Sequence, residues 1–140
     1  LEQIFDDMTA DASRAAGSSD DGPDRVAAVV DRAVAIYTGT VFKASLQVWA
    51  AAASDAALRA LILPLEAKFA RAAHQMTMTA LDPDGTHPDT HRLAQVTLDL
   101  ARGLGLADTL SDDSARRGQV MATWSAMLSS ALGEQDRTPT

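Results

Sequence analysis

Two stretches near the end of the chain, Leu93 to Leu110 and Val120 to Leu132, carry apolar or small residues around most of a helix circumference. In the first, Leu93, Val96, Leu100, Leu104 and Ala107 recur at the three- and four-residue spacing that aligns side chains on one helical face. Leu98, Ala101, Gly105 and Leu106 extend the apolar surface beyond that seam. In the second, Val120, Trp124, Met127 and Ala131 form a stripe, flanked by Met121, Leu128 and Leu132. A surface helix of a lone domain has one apolar face and one charged face. A second apolar face calls for a second neighbour. In a chain of 140 residues that neighbour is expected to be another copy of the chain.

The rest of the sequence reads as helices separated by short polar breaks. Leu1 to about Ala16 sets Ile4, Phe5, Met8, Ala12 and Ala15 against Asp6, Asp7 and Asp11, and no capping residue precedes it. A polar loop, Gly17 to Pro23, leads into Asp24 to Tyr37, where Val26, Val30, Ala33 and Tyr37 are in register. Val41 to Ala53 aligns Phe42, Leu46, Trp49 and Ala53. Ser54-Asp55 is a break suited to capping the next helix. Ala56 to about Ala80 has the line Leu58, Ile62, Leu65, Phe69, Ala72 and Met76. Pro64, inside it, is expected to kink the helix or end its first part. Asp82 to Gly85 is a turn, and Thr86 with Asp89 has capping-box spacing, with Pro88 in the first helical turn. Ser111 to Asp113 separates the last two helices, and the tail after Gly133 is polar. The expected fold is all-α, a single-domain bundle of about six helices covering residues 1–140, the last two forming a dimeric four-helix bundle.

Composition narrows the function classes. Almost half the chain (46 %) is apolar while aromatics are scarce (4 %), and alanine, the best helix former, is abundant. A net charge of −7 argues against a duplex-binding surface in this segment, because phosphate contacts need clustered basic residues. The absence of cysteine removes disulfides and thiolate metal sites. No apolar run approaches the roughly 18 residues of a membrane span. A cytoplasmic protein with no membrane partner is therefore expected. The chain opens on Leu1 rather than methionine, so it is expected to be part of something longer.

Candidate chemistry is sparse. No nucleophile elbow, phosphate loop or zinc-protease helix is present, and no base–nucleophile pair stands at a familiar spacing, so an enzyme is not expected. His87 and His91, with Asp82, Asp84 and Asp89 nearby, have metal-ligand chemistry, but Pro88 intervenes in a turn-rich stretch; an exposed cap and loop is preferred, and neither metal nor cofactor is expected. His74, Gln75, Met76, Thr77, Met78 and Thr79 alternate sulfur, hydroxyl and amide groups. They fit either a solvated helix end or the wall of a cavity that orients an apolar ligand. Tyr37, Phe42, Leu46 and Trp49 make an aromatic corner that serves equally as core or pocket wall. Asp99 can pair with Arg102 three residues on, or act as a polar anchor in a cavity or dimer seam.

The run from Phe42 through Trp49 and its four alanines to Asp55, Leu58 and Arg59 resembles the central helices of TetR-family transcriptional regulators. Leu98-Asp-Leu-Ala-Arg-Gly103-Leu-Gly-Leu-Ala107 resembles that family's penultimate helix. The resemblance spans the chain in helix order and length. It implies a ligand-responsive repressor domain whose helix-turn-helix DNA reader lies before Leu1, with the helix from Leu1 acting as a lever between the two. It further implies a homodimer through the last two helices, with Leu100, Gly103, Leu104, Ala107, Val120, Trp124, Met127, Leu128 and Ala131 as the expected interface. A hydrophobic or aromatic effector would enter among the central helices, with Tyr37, Phe42, Leu46, Trp49, Phe69, His74, Met76 and Leu98 as expected lining. The alternative is a helical dimerisation or adaptor module without a small-molecule ligand.

Overall fold

A computed structural model describes residues 22–133, together with Glu2, Gln3, Asp6, Asp7 and Ala10. Those five residues are helical; the remainder of the expected first helix, the loop from Gly17 to Asp21 and the tail beyond Gly133 lie outside the described residues. Within 22–133 the chain is all-α: α1 (Gly22–Thr38), α2 (Thr40–Ala53), α3 (Ala56–Leu81), α4 (Thr90–Asp108) and α5 (Ser114–Gly133). No helix of the described residues is long and apolar enough to cross a membrane.

Helix α1 is the central element because its valines and alanines sit on more than one side. Val26, Val29, Val30, Ala33, Val34 and Tyr37 are all buried. It packs most extensively on α4 and then α5, and it also touches α2 and α3. The α1–α4 approach is set by Gly105, where a Cβ would lie 2.2 Å from the Tyr37 carbonyl oxygen and 2.6 Å from Tyr37 Cβ. Only a residue without a side chain allows that crossing. Around Gly105, Ala94, Thr97, Leu98, Ala101 and Leu104 complete the buried face of α4.

The α2–α3 corner is held by the residues between its helices. Asp55 accepts a 3.1 Å hydrogen bond from Leu58 N, covering a donor that a helix start leaves unpaired. Arg59 reaches back and donates to the carbonyls of Ala52 (3.3 Å) and Ala53 (3.4 Å) at the end of α2. Helix α3 then runs without interruption through Pro64, which therefore does not end its first part. Past Phe69 the buried line moves to Ala73, Thr77 and Leu81 rather than Ala72 and Met76, because steps of four residues drift slowly around a helix of 3.6 per turn. Thr77 is accommodated in that line by donating its hydroxyl to Ala73 O at 2.8 Å.

Asp82 organises the turn that follows. Its carboxylate accepts from Thr86 N (3.3 Å), His87 N (2.9 Å) and the Thr90 hydroxyl (3.0 Å). Gly85 supplies the positive φ of 68° that the turn requires. The expected Thr86–Asp89 capping box is not made: α4 starts at Thr90, its N-cap Asp89 makes no side-chain cap bond, and the box's donors Thr86 N and Asp89 N go instead to the Asp82 carboxylate and the His87 ring. Helix α5 is tied down at three points. Asp108 bridges Lys43 of α2 (3.1 Å) and Arg117 of α5 (2.9 Å); Trp124 Nε1 donates to the Thr97 hydroxyl at 3.0 Å; and the His87 ring bonds Ala131 O at 3.1 Å.

Candidate functional site

Helix α4 presents three faces, and each meets something different. One is buried against α1. A second, His91, Arg92, Gln95, Asp99 and Arg102, follows helical spacing and borders a cleft of about 440 Å³. The opposite wall comes from Ala70, Arg71, Ala73 and His74 of α3, and Leu98 and Tyr37 close the cleft on the core side. The third face, carrying Val96, Gly103, Leu106 and Ala107, points away from the subunit core, with Val96 at 40 % and Leu106 at 54 % exposure, while Leu100 beside it packs partly against the core.

The polar groups of the cleft are partly committed to one another. The His74 and His91 rings meet edge to face, with centroids 4.5 Å apart. His74 Nε2 lies 3.0 Å from the His91 carbonyl, which can only accept, so that nitrogen is the donor. Arg92 donates to Gln95 Oε1 at 2.7 Å. Arg102 lies over the Tyr37 ring at 5.9 Å from its centroid and makes a long 3.8 Å ion pair with Asp99. The Arg102 Nε atom is buried and has no hydrogen-bond partner. Tyr37 itself is 2 % exposed. Burial raises its phenol above the ordinary pKa, while the Arg102 guanidinium pulls the other way.

Such a surface can bind and orient a small molecule. Three guanidinium groups and two imidazoles face it, beside the apolar atoms of Leu98, Ala70 and Ala73. Among the described residues its lining includes no serine, threonine or cysteine to serve as nucleophile. No group of three or more histidine, aspartate or glutamate side chains is placed to hold a metal ion among the described residues. His87 and His91 do not converge on a common point: the His87 ring accepts from Asp89 N at 3.1 Å and bonds Ala131 O, while His91 packs on His74.

Of the residues expected to line a cavity, Tyr37, His74 and Leu98 border this cleft. Phe42 and Phe69 lie in the hydrophobic core, and Leu46 and Trp49 pack against it. Phe42 is fully buried, edge-on to both Tyr37 (5.0 Å) and Trp49 (5.6 Å). The aromatic corner is thus core, and only Tyr37 connects it to the cleft. Met76 is partly buried, away from the cleft lining. Arg71, His91, Arg92, Gln95 and Arg102 were not expected there. For the α4 residues the signal was the polar stripe at positions 92, 95, 99 and 102, which looks like any solvated face until α3 is placed across from it; nothing local marks Arg71 of α3. Asp99 makes the i,i+3 pair with Arg102 and also borders the cleft.

The residues expected at a subunit interface divide in two. Leu104 and Leu128 are 4 % and 0 % exposed and belong to the subunit's own core, which corrects their assignment to an outer surface. Gly103 and Met127 are exposed, and Leu100, Ala107, Val120, Trp124 and Ala131 are partly so. Val120, Trp124 and Met127, with Gln119 and Thr123, line a shallow, mainly apolar groove of about 310 Å³ on α5. Comparison of the chain with protein-family models, with curated proteins and with solved structures gives no match.

Proposed function

We propose that this chain is the effector-binding and dimer-forming part of a TetR-type transcriptional regulator, a repressor. The observation that carries the reading is the division of labour on α4: one face borders a ligand-sized cleft and another leaves apolar residues uncovered. A molecule in the cleft touches α1, α3 and α4 together. Any arrangement of α4 that it favours is transmitted to the outward face of the same rigid helix. The outward faces of α4 and α5 are the surfaces through which a second copy would pair, covering Val96, Leu106 and Met127. Symmetric pairing would fix the spacing of two DNA readers, as half-site recognition demands. Effector binding changes DNA affinity only to the extent that it discriminates between two dimer arrangements. DNA contact would be made by a helix-turn-helix outside these residues, consistent with a net charge of −7 here.

The test is twofold. Sedimentation at micromolar concentration should give a mass twice 14.7 kDa, and native mass spectrometry of gently purified protein should reveal a bound small molecule or a site that can be loaded with one. A dimer with no ligand capacity would instead support the helical adaptor. A monomer would remove the mechanical basis of the regulator.

A further inference from the structure

The effector cleft has a polarity that specifies a ligand class; this step rests on the ligand-binding reading above. In a chain carrying −7 overall, the cleft is lined by Arg71, Arg92 and Arg102 against the single carboxylate of Asp99. Arg102 is the informative member. Its Nε–H is buried and unpaired, although a guanidinium presents a fork of donors that suits a two-oxygen acceptor. Asp99 does not fill this role: it is mostly exposed, it reaches a terminal nitrogen rather than Nε, and its separation is 3.8 Å. Beneath the guanidinium lies the Tyr37 ring, which holds the fork in place, and beside it are Ala73 and Leu98. A buried donor without an acceptor is costly, so an acceptor delivered by a ligand recovers free energy that the empty protein forgoes.

We propose that the cleft binds a monoanionic organic carboxylate with a compact aromatic or aliphatic body. A small rotation of the partly exposed Arg102 side chain turns its Nε–H into the cleft; the carboxylate then accepts from Nε and its neighbouring amino group, and the body lies against Ala70, Ala73 and Leu98. With Arg92 held by Gln95 and Arg102 partly offset by Asp99, the cleft is left with one guanidinium fork matched to the two oxygens of a single carboxylate. The free carboxylate, rather than its amide or ester, is the recognised form.

Arginine Nε–H signals in ¹⁵N spectra of the whole chain test this directly, with the Arg102 signal assigned by its loss in Arg102→Gln. Phenylacetate should shift that signal saturably, while phenylacetamide should bind about tenfold or more weakly, as expected when a charge-assisted pair is lost. Arg102→Gln should weaken phenylacetate by a similar factor, and Arg102→Lys should restore it only in part, because an ammonium lacks the fork. The same spectra report whether each variant keeps its fold. Equal binding of phenylacetamide would overturn the anion assignment while leaving an effector cleft in place. Tighter binding of phenyl phosphate would overturn the carboxylate assignment. If none of the three probes moves the Arg102 signal at millimolar concentration, the inference fails; a neutral molecule found by native mass spectrometry would then still sustain the broader effector reading.

Discussion

Two glycines on one helix, Gly103 and Gly105, look alike in the sequence and do opposite things in the fold. A Cβ on Gly105 would collide with the Tyr37 backbone and Cβ, neither of which can swing aside, whereas a Cβ on Gly103 would meet nothing within 4 Å. Gly105→Ala should therefore cost about 1–3 kcal/mol, as overpacking does in tightly packed interiors. Gly103→Ala should stabilise the isolated subunit by up to roughly 1 kcal/mol, the helix-propensity gain of alanine over glycine. Urea unfolding of the two variants should move their midpoints in opposite directions; equal midpoints would refute the close α1–α4 crossing. Because Tyr37 also bounds the cleft, Gly105→Ala should disturb ligand binding as well as stability. The sequence placed small residues on this helix correctly but could not distinguish the glycine that faces a neighbouring backbone from the one that faces outward. That difference depends on which helix lies across the contact, which local spacing does not encode.

At the scale of elements, the corners and the ionic node between helices do most of the ordering, and they were unequally legible. The Ser54-Asp55 break was readable because a helix start needs an acceptor and aspartate is a good one. Asp55→Ala should cost about 1 kcal/mol, read from thermal or urea unfolding. Arg59 stands in the sequence simply as the basic residue after Leu58, yet its part in holding the carbonyls of Ala52 and Ala53 emerges only when α3 folds back on α2. The expected capping box at Thr86 is not made for a related reason: its two donors go elsewhere, Thr86 N to the Asp82 carboxylate and Asp89 N to the His87 ring. The Asp108 node joins positions far apart in sequence, and nothing local to Asp108 announces Lys43 as its partner. The hydrogen bond from Lys43, joined by Arg117, outweighs an opposing desolvation and holds the Asp108 carboxyl below the usual carboxylate range. Asp82 is lowered too, because backbone and hydroxyl donors from His87, Thr90 and Thr86 together outweigh desolvation that would raise it. A carboxylate with a depressed folded-state pKa adds stability above its unfolded value, and that stability is lost as pH falls through the folded value. The urea midpoint should accordingly decline from about pH 5 downward. Asp108→Asn should lower the midpoint at neutral pH and make the acid decline shallower without abolishing it, since Asp82, Asp112 and Asp113 are lowered as well. An unchanged acid slope in that variant would exclude Asp108 as a contributor.

For the whole molecule, the decisive quantity is apolar surface left over once each helix has its intramolecular neighbours. The sequence pattern leads one to expect an excess on the last two helices. Helix α4 leaves Val96 and Leu106 at 40 % and 54 % exposure and α5 leaves Met127 at 60 %, with Leu110 between the two helices at 88 %, while Leu61 and Leu63 of α3 are also exposed, at 64 % and 54 %. The α4 stripe nonetheless mixes faces, since Leu104 is buried and Leu100 packs partly against the core while Val96 and Gly103 are exposed. Helical spacing shows that residues share a side but does not say which of two apolar sides meets the core. Stable association generally buries more than about 1,000 Å² with an apolar centre. The exposed residues of α4 and the Val120–Trp124–Met127 groove of α5 lie on consecutive helices joined through Thr97 and Trp124, so a partner crossing both would cover them together. Met127→Lys separates this arrangement from a merely greasy surface. In a lone subunit Met127 stands mostly in solvent, so the change should leave helicity and the unfolding midpoint of the monomer within about 0.5 kcal/mol of the parent. In a dimer paired through α5, each copy would bring an unpaired ammonium into a desolvated seam, and the charge would be repeated by symmetry. Removing both charges from water costs far more than the lost thioether contacts, so the sedimenting species should fall from twice 14.7 kDa to 14.7 kDa with the fold retained. A Met127→Lys protein that stays dimeric would move the pairing surface off α5, and a parent chain that sediments as a monomer would leave α4 with a cleft on one face and no partner on the other.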